Sequence, residues 1–316
     1  MERRRVARSG LQVSRVGLGT MMWGRDTDEH EAREQLRDFV EAGGTLVDTA
    51  ASYGGGASEE LLGVLVGTDV PRDDVVLCTK AGVGLRDGEQ LVDASRRSLL
   101  FGLDSSLRRM GTDHVDMFLV HAWDDEVPLE ETLSTLAHVL ATGRARYVGV
   151  SNYNGWQLAR AATLAEPTDV HLIADQVEFS LLARSAEADV LPAAAAVGTG
   201  VIGWSPLGRG VLTGKYRHGT PPDSRAASEH FSAYVRPYLG ERSARVVEAV
   251  ATAADGLDAA PIEVALAWAR DRPGIASVVV GARTASQLRA ALGAEDLELP
   301  AAIRRALDDV SGGESV

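Results

Sequence analysis

Val75-Val76-Leu77-Cys78-Thr79-Lys80 and, further along, Val115-Asp116-Met117-Phe118-Leu119-Val120-His121 are largely apolar on both faces of an extended chain, not on alternate residues. A strand with two apolar faces suits a parallel sheet covered by helices. Comparable β-rich runs occur at residues 15–18, 45–49, 75–79, 115–120, 147–150, 173–177, 200–204 and 277–280. Most begin roughly 25 to 40 residues after the one before, room for a strand, a loop and a helix. Helical patterns fill the gaps at 29–41, 59–66, 90–109, 129–141, 156–164, 186–197, 242–254 and 262–270, with Pro128 and Pro261 where first-turn prolines belong. Eight β/α units close most economically as a barrel, with active groups collected at the C-terminal ends of the strands. A doubly wound sheet is the rival, but it calls for Gly-x-Gly-x-x-Gly after an early strand, and Gly17-Leu18-Gly19-Thr20 is too incomplete to serve. The expected fold is therefore α/β, a (β/α)8 TIM barrel. It is preceded by a hairpin over residues 5–13 that turns at Ser9-Gly10 and is placed to plug the barrel bottom. A long Gly-, Pro- and Ser-rich loop, about residues 205–241, follows the seventh strand, and loops of that length are usually functional or disordered.

At 316 residues and 45% apolar content the chain can bury a substantial core, and the barrel reading makes residues 1–316 a single domain. Its apolar runs fall far short of the ~20 residues that span a bilayer, so no membrane segment is expected. Met1-Glu2-Arg3-Arg4-Arg5 leads into alternation, not into the apolar run of a secretory signal. The one cysteine, Cys78, forbids an intrachain disulfide and reads as a small buried residue; a cytoplasmic location is the default. A net charge of −13 argues against a polyanion-binding surface, so nucleic acid is not an expected partner and any phosphate site must be local. Of the 32 basic residues only Lys80 and Lys215 are lysines; the other thirty are arginines. A compact ammonium with an adjustable pKa is a chemical reason to keep lysine at those two places.

The second, third and fourth strands end at Asp48, Lys80 and His121, with Tyr53 just beyond the first of these. Three neighbouring strands thus deliver these groups to one rim. Burying Lys80 unpaired would cost several kcal/mol, and Asp48 is its natural partner. A phenol with a pKa of ~10 is a competent proton donor near neutrality, and a neighbouring cation stabilises the phenolate it leaves. His121 is suited to hydrogen-bond a carbonyl oxygen as negative charge develops there. The set suits carbonyl reduction.

At these residues the chain resembles the aldo-keto reductase superfamily, above all its bacterial and potassium-channel β-subunit-like branches. The likeness runs through Gly17-Leu18-Gly19-Thr20, Asp48-Thr49-Ala50-x-x-Tyr53-Gly54, Gly143-Arg144-x-Arg146-Tyr147-x-Gly149-Val150-Ser151-Asn152, Gln176, Trp204-Ser205-Pro206-Leu207, Ser224-Arg225-Ala226 and Gly281-Ala282-Arg283-x-x-x-Gln287-Leu288. The resemblance implies that Asp48, Tyr53, Lys80 and His121 form the catalytic tetrad. It also implies a nicotinamide cofactor, with Ser151, Asn152 and Gln176 on the carboxamide and Trp204 stacked on the ring. Backbone amides of Ser205, Leu207, Gly208, Arg209 and Gly210, in the loop that includes Pro206, would meet the pyrophosphate together with Lys215. Arg225 and Arg283 would meet a 2′-phosphate and Gln287 the adenine, while Gly19, Thr20 and Gly281 belong to the same cofactor cleft. Two arginine forks favour NADPH over NADH. Ala290 and Ala291 depart from close relatives, where a Glu and an Asn often contact the adenine.

Each residue has a plainer explanation when taken alone: Lys80 as a solvated strand end, His121 as a core histidine, Asp48 as a cap, Tyr53 as a loop aromatic. Their joint occurrence is what favours the site. Met22, Trp23 and Trp123, just beyond strand ends, are candidates for a substrate wall beside Tyr53 and His121. His30, His114, His121, His138, His171, His218 and His230 show no paired ligand spacing, so no metal is expected. The expected function is NADPH-dependent reduction of a small aldehyde or ketone. A nicotinamide-binding sensor or regulatory subunit is one alternative, and a reductase of deoxysugar or polyketide intermediates is another.

Overall fold

The computed structural model describes residues 1–86, 89–222, 224–229 and 231–312. His230 and residues 313–316, the last of the expected domain, lie outside the described residues. Eight parallel strands close into a barrel: β1 Val16–Gly19, β2 Leu46–Asp48, β3 Val76–Ala81, β4 Val115–Val120, β5 Ala145–Ser151, β6 Leu172–Glu178, β7 Gly200–Trp204 and β8 Ile275–Gly281. Every strand pairs with its neighbours in sequence, and β8 pairs with β1 through Val278–Val16 to close the ring. All eight coincide with the apolar runs read from the sequence.

Helices α1 Glu29–Glu41, α2 Ala57–Leu65, α3 Arg96–Met110, α4 Leu129–Ala141, α5 Gly155–Ala165, α6 Val190–Val197, α7 Glu241–Leu257, α8 Pro261–Arg270, α9 Ala285–Leu292 and α10 Ala301–Ser311 surround the barrel. The starts are set locally: Asp28 accepts from the Glu31 amide at the head of α1, and Asn154 with Gln157 forms a reciprocal capping box at the head of α5. Three expectations need correction. The helix expected from residue 90 begins only at Arg96, capped by Ser95; residues before it form an antiparallel hairpin, Val83–Arg86 against Glu89–Val92. In sequence Asp87-Gly88 stands between those strands, a dipeptide that favours hairpins. The helix expected over 186–197 is broken into a turn at Ser185–Glu187 and α6, because Asp189 is non-helical and its carboxylate accepts from the Gly155 amide. Pro128 sits one position earlier than expected, as the cap of α4, whereas Pro261 opens α8.

The core has two layers. Inside the barrel, Leu46, Cys78, Met117, Leu119, Ile173, Ile202 and Val279 pack together with Val6 and Val13 of the N-terminal hairpin, whose strands are Arg3–Arg5 and Gln12–Ser14. The hairpin therefore closes the bottom of the barrel. A larger apolar layer lies between strands and helices. At Gly149 a Cβ would lie 2.4 Å from the Ala174 carbonyl oxygen and 2.9 Å from Leu119 Cδ2. Gly149→Ala is expected to cost about 1–3 kcal/mol through overpacking, read as a lower urea midpoint; an unchanged midpoint would show that β5 and β6 can part without penalty.

Candidate active site

β2 delivers Asp48 to the rim, and the chain then folds over the end of β3: the Thr49 amide donates to the Cys78 carbonyl and the Ala51 amide to the Lys80 carbonyl. Tyr53 opens a tight turn through Gly54, Gly55 and Gly56 at φ 59°, 67° and 107°, a left-handed run that residues with a Cβ resist. Lys80, fully buried, then finds its ammonium among three oxygens: it donates to Asp48 Oδ2 at 2.8 Å, to the Thr49 carbonyl at 2.8 Å and to Tyr53 Oη at 3.3 Å. The second Asp48 oxygen accepts from Gln176 Nε2 at 2.7 Å, from across the barrel on β6. Gln176, Asp48, Lys80 and Tyr53 thus form a continuous polar chain.

Burial opposes the charge on Lys80, yet Asp48 and then Tyr53 outweigh it and hold its pKa above the ordinary lysine value. For Tyr53 burial dominates: the phenol is pushed up to about 12, with Lys80 pulling the other way and Asp48 adding to the rise. Tyr53 is accordingly a neutral hydroxyl near pH 7. The His121 ring lies 6.0 Å from that of Tyr53, edge-on at 74°. Burial, reinforced by the Lys80 charge, lowers its pKa to about 3, so its imidazole is neutral. His121 Nδ1 is buried without a hydrogen-bond partner. An orphaned N–H is costlier than an orphaned lone pair, which favours the tautomer with the proton on Nε2.

The rim continues through Ser151, whose hydroxyl donates to the Gln176 carbonyl at 2.7 Å, and Asn152, held at φ 59°. Asn152 donates to the His121 carbonyl at 2.9 Å and accepts from Trp204 Nε1 at 3.0 Å. These groups border a cavity of about 770 Å³, lined also by Gly19, Asp48, Tyr53, Ser205, Pro206, Leu207, Arg209, Gly210, Lys215, Arg225, Gly281, Arg283 and Gln287. Ala290 and Ala291 line it too. Arg225 is held below the ordinary guanidinium value, chiefly by burial and further by the neighbouring Arg283 charge, an electrostatic setting that fits an anion.

Other expected residues fall elsewhere. Lys80 lies beneath the cavity lining, and Thr20 and Gly208 are buried behind it, Thr20 bracing the Asp48 carbonyl at 3.1 Å. Of the three substrate-wall candidates only Met22 lines the cavity. Trp23 is fully buried and donates to Gln35 at 2.9 Å, so it is a core residue. Trp123 packs edge-on against Tyr153 and Trp156 and donates to Asp125 at 2.6 Å. The Arg209 side chain turns away to clasp both Glu178 oxygens at 2.9 and 2.7 Å, and the Gly208 and Gly210 amides already donate to Ser205 and Leu207 carbonyls. Met21, Ser52, Val83 and Tyr234 also line the cavity and were not anticipated. Ser52 was open to inference as the neighbour of Tyr53. Val83 lies on the unforeseen hairpin and Tyr234 on a short helical turn, Ser232–Val235, inside the stretch after β7 that the sequence reads as a loop. Among the described residues no cluster of potential metal ligands occurs, and no helix is long and apolar enough to cross a membrane.

The family model for the aldo/keto reductase family matches residues 15–311. The chain belongs to the aldo/keto reductase family. It is 34% identical to the uncharacterized oxidoreductase YrpG of Bacillus subtilis, over 100% of this chain and 98% of that protein. It is also 34% identical to a probable voltage-gated potassium channel subunit beta of Oryza sativa subsp. japonica, covering 91% and 89%, and 33% identical to the L-glyceraldehyde 3-phosphate reductase of Escherichia coli K12, covering 91% and 86%. Aldo/keto reductases generally use nicotinamide cofactors and act on small carbonyl compounds, and carbonyl reduction is the chemistry this membership supports.

The half-buried His121, with its Nδ1 out of contact with solvent, has a consequence for stability. In the folded state it stays neutral down to about pH 3, whereas an unfolded imidazole takes up a proton near 6.5. Its folded pKa is depressed, so the unfolded chain binds the extra proton below 6.5 and stability is lost as pH falls through that value. The difference in urea midpoint, wild type minus His121→Asn, is expected to fall between pH 7 and pH 4; a constant difference would show that His121 titrates normally.

Proposed function

We propose that this aldo/keto reductase family member reduces an aldehyde or ketone to an alcohol with NADPH, Tyr53 being the general acid. The observation that carries the reading is the Lys80 ammonium, set 2.8 Å from Asp48 and 3.3 Å from the Tyr53 hydroxyl beside the cavity. Bound NADPH supplies the hydride. Tyr53, neutral because burial pushes it up to about 12, gives its proton to the carbonyl oxygen as that oxygen becomes an alkoxide. Lys80 stabilises the phenolate left behind; Asp48 keeps Lys80 charged, and Gln176 holds Asp48 in place. His121, neutral and with Nε2–H toward the cavity, donates a hydrogen bond to the same oxygen and orients the carbonyl. Met22 is the expected wall residue opposite.

On the cofactor side, Ser151, Asn152 and Gln176 would hold the nicotinamide carboxamide and Trp204 its ring. Gln176 has committed its amide nitrogen to Asp48, which leaves its oxygen to accept from the carboxamide. Lys215 and the 205–210 turn would meet the pyrophosphate, and Gln287 the adenine. The choice of NADPH over NADH rests on Arg225 and Arg283, whose like charges share one flank of the cavity; Ala290 and Ala291 contribute no polar group there. We take residues 1–316 as one domain acting in the cytoplasm. The likeness to a channel β subunit favours a second reading, a nicotinamide-binding sensor with little turnover. NADPH binding without turnover on a panel of carbonyl compounds would support that reading over the first.

Tyr53→Phe is expected to lower kcat for NADPH-dependent aldehyde reduction by about 10²-fold or more, with NADPH binding retained; turnover at the wild-type rate would remove Tyr53 as the acid. Arg225→Ala and Arg283→Ala should each raise KM for NADPH by roughly 10-fold or more, the worth of a charged hydrogen bond, and leave KM for NADH little changed. Equal effects on both cofactors would place the arginines away from the 2′-phosphate.

A further inference from the structure

Directly behind the catalytic wall, Glu59 is fully buried in the first turn of α2, only six positions after Tyr53 in sequence. Its carboxylate bridges two elements: Oε1 accepts from the Thr79 hydroxyl at 2.5 Å, and Oε2 accepts from Arg109 Nε at 2.8 Å and Nη2 at 2.6 Å. Thr79 is the β3 residue next to Lys80. Successive side chains point to opposite faces of a strand, so Lys80 enters the barrel while Thr79 faces the helices. Arg109, in the last turn of α3, reaches back along the turn that carries Tyr53: a Cβ at Gly56 would lie 2.8 Å from Arg109 Cδ and 2.9 Å from Nε. One ion pair, buried at its Glu59 end, therefore clamps both the strand that supplies Lys80 and the turn that supplies Tyr53.

We propose that Glu59 and Arg109 are positioning residues that set the Lys80–Tyr53 separation, an inference that rests on the hydride-transfer reading above. The Lys80–Tyr53 contact is the longest of the three made by the ammonium, 3.3 Å against 2.8 Å for the other two. Nζ is fixed at 2.8 Å by both Asp48 and the Thr49 carbonyl, so its distance to the phenol depends on where the 53–56 turn rests against β3. Displacement of catalytic groups by about 1 Å can cost up to ~10²-fold in rate. Relaxing the clamp would weaken the hold of Lys80 on the phenolate and raise the Tyr53 pKa further. Neither Glu59, Arg109 nor Thr79 lines the cavity, so cofactor and substrate binding would be spared.

Glu59→Gln keeps the side-chain shape and an acceptor for Thr79, and the freed charge of Arg109, whose side chain is 22% exposed, can reach water. Thr79→Val removes only the other half of the bridge. Both variants are expected to fold, to bind NADPH with wild-type Kd measured by quenching of tryptophan fluorescence, and to keep KM for an aromatic aldehyde. Each is expected to lose about tenfold in kcat and to shift the alkaline rise of alcohol oxidation by NADP+ to higher pH. A lowered Tm with unchanged kcat and pH profile in both variants overturns the positioning role and leaves the pair a structural one. A wild-type protein that reduces no carbonyl overturns the hydride-transfer reading, and this inference with it.

Discussion

An ammonium with no exposure to solvent sits at the centre of this structure, and its solvation is what the surrounding elements are arranged to replace. Moving such a group out of water costs several kcal/mol unless its charge and its donors are matched. Lys80 meets that demand with one carboxylate, one backbone carbonyl and one phenol. The pairing requires β2 and β3 in the register that sets Asp48 beside Cys78, and a chain that leaves β2 by folding over the end of β3. It also requires β6, 128 residues away in sequence, to hand Gln176 to the second oxygen of Asp48. A barrel that failed to close would leave that oxygen without its partner.

The two ends of the barrel are filled differently, although a non-glycine residue at positive φ, Ala7, occurs in the hairpin at the bottom as well. At the bottom, Val6 and Val13 of the hairpin extend the apolar filling of the interior. At the top, non-glycine residues are held at positive φ where strands end: Asn152 after β5, Ser205 after β7 and Arg209 soon after. Such conformations cost of order 1–3 kcal/mol each and persist where the surroundings impose them. Here the imposing contacts are visible, since Asn152 is tied to the His121 carbonyl and to Trp204, and Arg209 to Glu178 and the face of Tyr234.

Charge is distributed with the same asymmetry. A chain with a net charge of −13 gathers Lys215, Arg225 and Arg283 along one flank of a single cavity. The same lining also includes Met21, Met22, Ser52 and Val83, which are uncharged. His121, in the same lining, stays neutral because burial and the Lys80 charge act in the same direction.

Read alone, the sequence determined the barrel and the identity of its chemical groups. Two-faced apolar strands, helical periods between them and ionisable residues at the strand ends are properties of short stretches, and a short stretch carries its own period and side-chain chemistry. The position of the only two lysines was legible for the same reason. What the tertiary structure decided is everything that depends on direction and closure. It turned Trp23 into the core while leaving Met22 on the cavity, brought Tyr234 in from the stretch after β7 that the sequence reads as a loop, replaced the start of an expected helix with a hairpin, and set Glu59 against Arg109 behind Lys80. The hairpin is local and was marked by Asp87-Gly88 in the sequence; the others rest on contacts between distant segments, whose burial and partners exist only once the ring of strands has closed.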